Sequence, residues 1–215
     1  MALAYFAVLG IGSSIISFPF SVYSTFVIEE RFGFNKTTVK TFILDMIKGT
    51  ALAIVIGGPL SALIIWLFYE LGEWFWLIAW IVVSGFSLFM TMFAASWIMP
   101  LFNKFTPLED GELRTMIEDY CDKVGFKLNN LFVMDGSKRS SKSNAFFSGL
   151  GPKKKIALYD TLMETQSNEE IVAILAHEIG HYKKKHTLQS LVLSILQTGV
   201  MLYLLGLFLR MPEFS

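Results

Sequence analysis

The chain has 215 residues, 53% of them hydrophobic and only 17% charged, and its mean hydropathy is +0.53. Soluble domains carry about 25% charged residues, so this composition excludes a plain soluble enzyme or a disordered tail and requires apolar faces in contact with lipid. The 18 basic and 18 acidic side chains balance, which excludes a nucleic-acid module, and the presence of a single cysteine, Cys121, excludes a disulfide framework.

Four apolar stretches are long enough to cross a hydrocarbon core, which needs about 20 residues. Gly57, Gly58 and Pro59 interrupt the second stretch and predict a kink there. We therefore expect a mainly α, multi-pass helical membrane protein. The predicted spans are 2–27, 50–69, 74–102 and 187–209.

The basic residues indicate the orientation of the chain in the membrane. The connector 28–49 holds four of them, the connector 70–73 holds none, and the polar region 103–186 holds thirteen. Two crossings place the first connector and the polar region on the same side, which the positive-inside tendency makes cytosolic. The prediction is a membrane region over 1–102, a cytosolic domain over 103–186, and a fourth span with a tail over 187–215.

The polar region reads as a small α+β domain. We predict a helix over 109–121 ended by Gly125, a strand over 131–134, and two further strands over 144–148 and 155–159 joined by a turn at 149–152. Ser167 and Glu170 form a capping-box pattern. It starts a predicted helix over 168–186.

That last helix carries the strongest chemical signal. His177 and His181 lie four residues apart, so both imidazoles point to one side of the helix and can reach one metal ion. Glu178 stands beside the first histidine, where a carboxylate can take a proton from water. Two imidazoles suit Zn²⁺, and we expect one zinc ion per chain.

Other polar residues near the motif have different interpretations. His186 follows His181 by five residues, which on a continuous helix rotates it by about 140°, so we interpret it as an interfacial or second-shell residue. The lysine runs 183–185 and 153–155 are interpreted as anchors facing lipid headgroups. Catalytic zinc normally has three protein ligands, and the chain offers only two obvious ones.

Four segments together resemble the Ste24-type membrane zinc metalloproteases, the CAAX prenyl protease 1 family. The motif His-Glu-x-x-His alone names only a zincin, but the four in this order are specific. The heat-shock membrane protease HtpX is a relative, and Tyr-Asp-Thr-Leu at 159–162 favours the Ste24 side. The matching segments are 26–36, 143–149, 155–162 and 177–181.

The resemblance implies a helical membrane protein enclosing a chamber, with the metal site on the cytosolic side. It implies His177 and His181 as zinc ligands and Glu178 as the catalytic base. The partners would be the lipid bilayer and a polypeptide substrate, prenylated near its C-terminus in eukaryotic members. The segment expected to pair with that substrate by β-addition comprises Asn144, Ala145, Phe146, Phe147, Ser148 and Gly149.

The family carries its third ligand, a glutamate in a Glu-x-x-x-Asp stretch, beyond a further hydrophobic hairpin, and nothing in this sequence matches it. We therefore expect a chain truncated at its C-terminus. The alternatives are an HtpX-like quality-control protease, a catalytically silent membrane binding module, and a zinc protein acting on a small amide or lipid. The short connector 70–73 and the lack of organelle signals favour a bacterial plasma membrane over the endoplasmic reticulum.

Overall fold

The structure is a computed structural model that describes residues 2–128, 130–148 and 155–209. The chain divides into two compact units. The helical unit comprises Met1–Phe32, Val39–Ser87 and Leu191–Ser215, and the mixed unit comprises Gly33–Thr38 and Leu88–Ser190.

Within the described residues, three helical runs are long and apolar enough to cross a membrane: Ala2–Glu29, Val39–Phe102 and His186–Phe208. The middle run has 64 residues, which as one straight helix would span about 96 Å, roughly three times the hydrocarbon core. Gly72 divides it, because its φ of +46° lies in the left-handed region that glycine adopts without steric cost. The predicted second and third spans thus lie on either side of this turn.

The helices of the membrane region are α1 (Ala2–Tyr23), α2 (Val39–Leu52), α3 (Gly58–Leu71) and α4 (Phe75–Trp97), with a short α5 (Met99–Phe102) and a late α9 (His186–Phe208). A π-helical segment, Ser24–Glu29, follows α1, and a second, Ala53–Gly57, joins α2 to α3. The second segment ends just before the Gly58-Pro59 pair, where the sequence predicts a kink.

The predicted connector 28–49 is too long. Helical backbone continues through Arg31 and resumes at Val39, so only residues 32–38 are non-helical. The hydropathy pattern places the start of the second span at Thr50, because Lys40, Asp45 and Lys48 interrupt the apolar run before it. Charged side chains do not disturb the backbone hydrogen bonds of a helix, so the helix extends beyond its apolar part.

In the helical unit, α4 packs against α9 through the indole rings of two α4 tryptophans. The indole N–H of Trp80 donates to the backbone carbonyl of Ile195 over 2.8 Å. A Cβ atom at Gly199 would lie 3.0 Å from Trp80 Nε1. The rings of Trp76 and Tyr203 meet edge to face, 5.2 Å apart. Small residues that admit a large neighbour are typical of helix pairs in membranes.

The mixed unit contains one four-stranded sheet with the order β1-β2-β4-β3. Its strands are β1 (Phe105–Pro107), β2 (Leu131–Met134), β3 (Ala145–Ser148) and β4 (Lys155–Tyr159). The pairs β1–β2 and β3–β4 are antiparallel and β2–β4 is parallel. The strand β3 therefore lies at one edge of the sheet, next to β4, as predicted for the pair; the predicted turn at 149–152 lies outside the described residues.

Three helices of the mixed unit, α6 (Glu112–Lys123), α7 (Asp160–Thr165) and α8 (Asn168–Lys183), share one apolar core with the sheet. The first begins three residues later than predicted, and Gly125 follows it with a φ of +62°, as expected of a helix-ending glycine. The largest side chains that are almost completely buried include Ile117, Ile156, Leu158, Ile171, Leu175 and Ile179.

The segment Gly33–Thr38 packs against the loop 139–142 of the same unit. Asn35 and Ser140 form an antiparallel bridge, Lys36 N–H donates to the Arg139 carbonyl over 3.0 Å, and Ser141 N–H donates to the Phe34 carbonyl over 3.0 Å. These contacts hold the segment between the first two long helices against the polar region, and the side of the membrane on which both lie stays a prediction.

Candidate metal centre and its neighbouring strand

The helix α8 is anchored on one side and exposed on the other. Ile171, Leu175 and Ile179 are each about 1% exposed and face the core. The capping box holds its start: Ser167 N–H donates to Glu170 Oε2 over 2.8 Å, and Glu170 N–H donates to Ser167 Oγ over 3.3 Å. This confirms the predicted start of the helix, and the buried face fixes which side chains point outward.

His177 and His181 lie on the outward side, about 160° around the helix from Ile179, and both are exposed within the chain. Their Nε2 atoms are 2.9 Å apart and their ring centroids 4.6 Å apart. Two nitrogens bound to one tetrahedral zinc at 2.0–2.1 Å would lie about 3.3 Å apart, so small ring rotations suffice. The donor set thus fits one such ion, and the role of these residues as ligands stays a prediction.

Glu178 is half-buried and directly follows His177 on the helix. A step of one residue turns the side chain by about 100°, so its carboxylate stands beside the histidine face. This position is compatible with proton transfer to or from water near the paired imidazoles, and the catalytic role of Glu178 also stays a prediction.

The predicted extent of this helix, 168–186, is wrong at its C-terminal end. The helix ends at Lys183, Lys185 adopts a φ of +57°, and His186 begins α9. The break turns the His186 ring back toward the motif, so that its Nδ1 atom lies 2.7 Å from Nδ1 of His181. The expected rotation of 140° does not apply because the helix is not continuous.

The sequence gives no signal for this break, since none of the lysines at 183–185 is a helix breaker. Lys183 extends its Nζ to the carbonyl of Val124, which follows α6, rather than simply into solvent. Lys184 and Lys185 are exposed. Of the second lysine run, 153–155, only Lys155 lies within the described residues, where its ammonium group lies 5.3 Å from the Phe132 ring centroid.

Two imidazoles do not complete a catalytic zinc site. Over residues 2–128, 130–148 and 155–209, no group of three or more His, Cys, Asp or Glu side chains is arranged to hold a metal ion. His186 contacts the Nδ1 side of His181, whereas the paired Nε2 atoms face each other. His186 therefore does not supply a third protein ligand for an ion between the Nε2 atoms.

The strand β3 presents an open backbone edge in the part of the sheet that the structure describes. The Asn144 carbonyl accepts from Tyr159 N–H over 3.0 Å. Because antiparallel pairs alternate, Asn144 and Phe146 bond toward β4, while Ala145 and Phe147 direct their N–H and C=O groups to the open side. The Ala145 N–H also meets the Asn144 side-chain oxygen over 2.9 Å.

Side chains of this strand pack against the helix α8, which carries His177 and His181. Ala145 is 5% exposed, and Phe147 packs on Tyr182, the residue after His181, with ring centroids 4.7 Å apart. Phe146 lies on the other face against Tyr159 at 6.3 Å. The structure thus places the predicted strand Asn144–Phe147 beside α8; the Ser148 backbone continues it, and Gly149 lies outside the described residues.

Two protein families match consecutive parts of the chain. Residues 1–104 match a family described as CAAX prenyl protease N-terminal, five membrane helices, and residues 107–213 match peptidase family M48. The fold and the motif define an integral membrane protein with a metallopeptidase domain.

Relatives identify the family. The chain is 48% identical over 199 residues to CAAX prenyl protease 1 of Saccharomyces cerevisiae, covering 92% of this chain and 44% of the relative. It is 49% identical over 192 residues to the homolog of Arabidopsis thaliana, covering 87% and 45%. The crystal structure of S. mikatae Ste24p matches with a TM-score of 0.93 at 45% identity, covering 99% of this chain and 50% of that one. The chain belongs to the CAAX prenyl protease 1 family.

The chain spans about half the length of these relatives. The relatives are eukaryotic, so the expectation of a bacterial plasma membrane finds no support in them. Membership of a metallopeptidase family implies a metal ion.

Proposed function

We propose that the chain forms part of a zinc-dependent integral-membrane endopeptidase that binds one Zn²⁺ through His177 and His181. The observation that carries the proposal is the 2.9 Å approach of their Nε2 atoms, on the exposed side of a helix whose other side is anchored in the core. In this proposal residues 103–186 form the cytosolic catalytic domain, residues 1–102 form the membrane region, and residues 187–215 form a fourth transmembrane helix and a tail.

His177 and His181 would hold the zinc ion, which would supply Lewis-acid activation of the scissile carbonyl and of the attacking water. Glu178 accepts a proton from the attacking water and returns it to the amine that leaves. Water is thereby added across the peptide C–N bond, with OH on the carbonyl carbon and H on the nitrogen. The half-buried position of Glu178 next to His177 supports this role.

The substrate proposed is a membrane-associated polypeptide in extended conformation. Its backbone would pair with the open edge of β3, where Phe147 supplies an N–H and a C=O group and Ala145 supplies a C=O group. Asn144, Phe146, Ser148 and Gly149 would complete the segment. Relatives named CAAX prenyl protease 1 support prenylated C-terminal segments as the substrate class, with the lipid bilayer holding the prenyl chain.

The test uses the intact gene product in detergent or vesicles with a prenylated CAAX peptide. Wild type should contain one zinc per chain and cleave the peptide. Glu178→Gln should keep its zinc and lose activity by 10³-fold or more, on the order expected when the general base of a water attack is removed. Glu169→Gln, on the exposed first turn of the same helix, should retain both. Cleavage by Glu178→Gln at the wild-type rate contradicts the assigned role.

A second candidate is a membrane binding module that keeps the strand and lacks catalysis. It differs from the endopeptidase in lacking a complete metal site, and the match to a metallopeptidase family does not favour it. Peptide binding by a wild-type protein that contains no zinc and cleaves nothing would identify that module. Stoichiometric zinc together with cleavage would exclude it.

A further inference from the structure

We propose that His186 is a positioning residue for the metal centre. It accepts a hydrogen bond from the Nδ1–H group of His181 and so holds that imidazole with its Nε2 lone pair toward the ion. The inference rests on the proposed function, because it takes His181 to be a metal ligand.

The geometry uses the two nitrogens of the His181 ring in different directions. Nε2 of His181 lies 2.9 Å from Nε2 of His177, and Nδ1 of His181 lies 2.7 Å from Nδ1 of His186. The His181 and His186 rings meet edge to face, with centroids 4.8 Å apart. His186 is half-buried, whereas His177 and His181 are exposed. The His186 ring can therefore support the His181 ring, which lies between the other two.

The protonation pattern follows from metal binding. A ligating Nε2 presents its lone pair to the ion, so the single proton of neutral His181 resides on Nδ1. That N–H needs an acceptor, and Nδ1 of His186 is within hydrogen-bond distance. Acceptors at this position fix the tautomer and the ring orientation of ligating histidines and raise their basicity.

The backbone break after α8 brings this acceptor to His181. Lys185 has a φ of +57°, which L side chains rarely adopt, and its N–H donates to the Tyr182 carbonyl over 2.9 Å. Lys184 N–H donates to the Gly180 carbonyl over 3.0 Å. These bonds close the end of one helix, and Gln189 N–H donates to the Lys185 carbonyl over 2.9 Å at the start of the next. The turn thus holds His186 against His181 rather than on the far side of the helix.

The same geometry argues against His186 as a third ligand to that ion. The ion would lie between the paired Nε2 atoms, and His186 touches the other nitrogen of His181. Its ring therefore acts on the metal only through His181.

The test compares His186→Phe with His186→Asn in the intact gene product. Phenylalanine keeps a ring and removes the acceptor, whereas the Asn side-chain oxygen can replace Nδ1. Zn²⁺ affinity is measured on metal-stripped protein by competition with a chromophoric chelator. His186→Phe should weaken zinc binding about 10–100-fold. His186→Asn should restore most of the affinity, and Lys184→Ala, an exposed change in the same turn, should leave it unaltered.

The Co²⁺-substituted proteins provide a second readout. The visible absorption of bound Co²⁺ reports ligand geometry, and His186→Phe should shift it while His186→Asn should not. Zinc affinity of His186→Phe within about twofold of wild type overturns the proposal, as does equal weakening in the Phe and Asn variants, which would indicate a packing effect alone. A wild-type protein that binds no zinc, or a His177→Ala variant that binds it normally, instead overturns the proposed function itself.

Discussion

The mixed unit and the helical unit are stabilised in different ways. In the mixed unit, side chains such as Leu158, Ile171, Leu175 and Ile179 are removed from water almost completely. In the three long apolar runs, 0–6% of the residues in the most apolar 18-residue stretch are buried. The helical unit has only a small buried cluster around Leu67, Phe75 and Ala79, together with close contacts such as the one between Trp80 and Ile195. Burial from water drives the first kind of packing, whereas shape and hydrogen bonds must drive the second because lipid is as apolar as leucine.

The comparison predicts the largest stability effect in the core of the mixed unit. Leu175→Ala removes a side chain of α8 that is 1% exposed and leaves a cavity in the core of the mixed unit. The cost should be about 2–5 kcal/mol, measured as denaturant unfolding of the detergent-solubilised protein. Met163→Ala, at a site 38% exposed in the same unit, is the control. Equal losses in the two variants would show that this core is not what stabilises the unit.

In the helical unit, by contrast, adding atoms should cost more than removing them. Gly199→Leu forces a side chain into space where even a Cβ atom would lie 3.0 Å from Trp80 Nε1. Overpacking of this kind costs about 1–3 kcal/mol, detectable as a lower melting temperature in detergent. Gly85→Leu places the same side chain where nothing lies within 4 Å, and it should be neutral or stabilising. A drop at Gly85 alone would contradict the assigned packing.

How far the sequence predicts each unit follows from the same distinction. The spans follow from hydropathy, and the capping box at Ser167 follows from a local pattern that needs no tertiary information. The start of α2 at Val39 was missed because hydropathy measures lipid preference, not helix formation. The turn at Lys185 was missed because a lysine with positive φ is stabilised by its surroundings and has no local signature.

The candidate site divides in a similar way. The four-residue spacing of His177 and His181 predicts their shared face, and the structure brings the rings together. The contact between His186 and His181 depends on the helix break, so helical periodicity does not predict it. The edge position of β3 depends on strand order, since β4 pairs with β2 as well as with β3. Only the resemblance to a known family suggested that this strand meets a substrate.

The helix cap offers a smaller test within the mixed unit. Ser167→Ala removes the hydroxyl that accepts from Glu170 N–H and should cost about 1 kcal/mol. Ser137→Ala is the matched control, because it removes a hydroxyl that donates a hydrogen bond to the Asp160 carboxylate outside α8. Because the cap lies ten residues before His177, zinc affinity should change less than stability. A variant that unfolds normally but loses zinc would show that the cap positions the motif directly.

The smallest effect is expected for a single hydrogen bond in the helical unit. Trp80→Phe keeps an aromatic ring against Gly199 and removes the N–H that donates to the Ile195 carbonyl. Hydrogen bonds between membrane helices contribute about 0.6 kcal/mol on average, so the melting temperature should fall only slightly. Trp66→Phe, at a ring 57% exposed, should not change it. If Trp80→Phe cost as much as Leu175→Ala, the helical unit would depend on directed polar contacts as strongly as the mixed unit depends on burial.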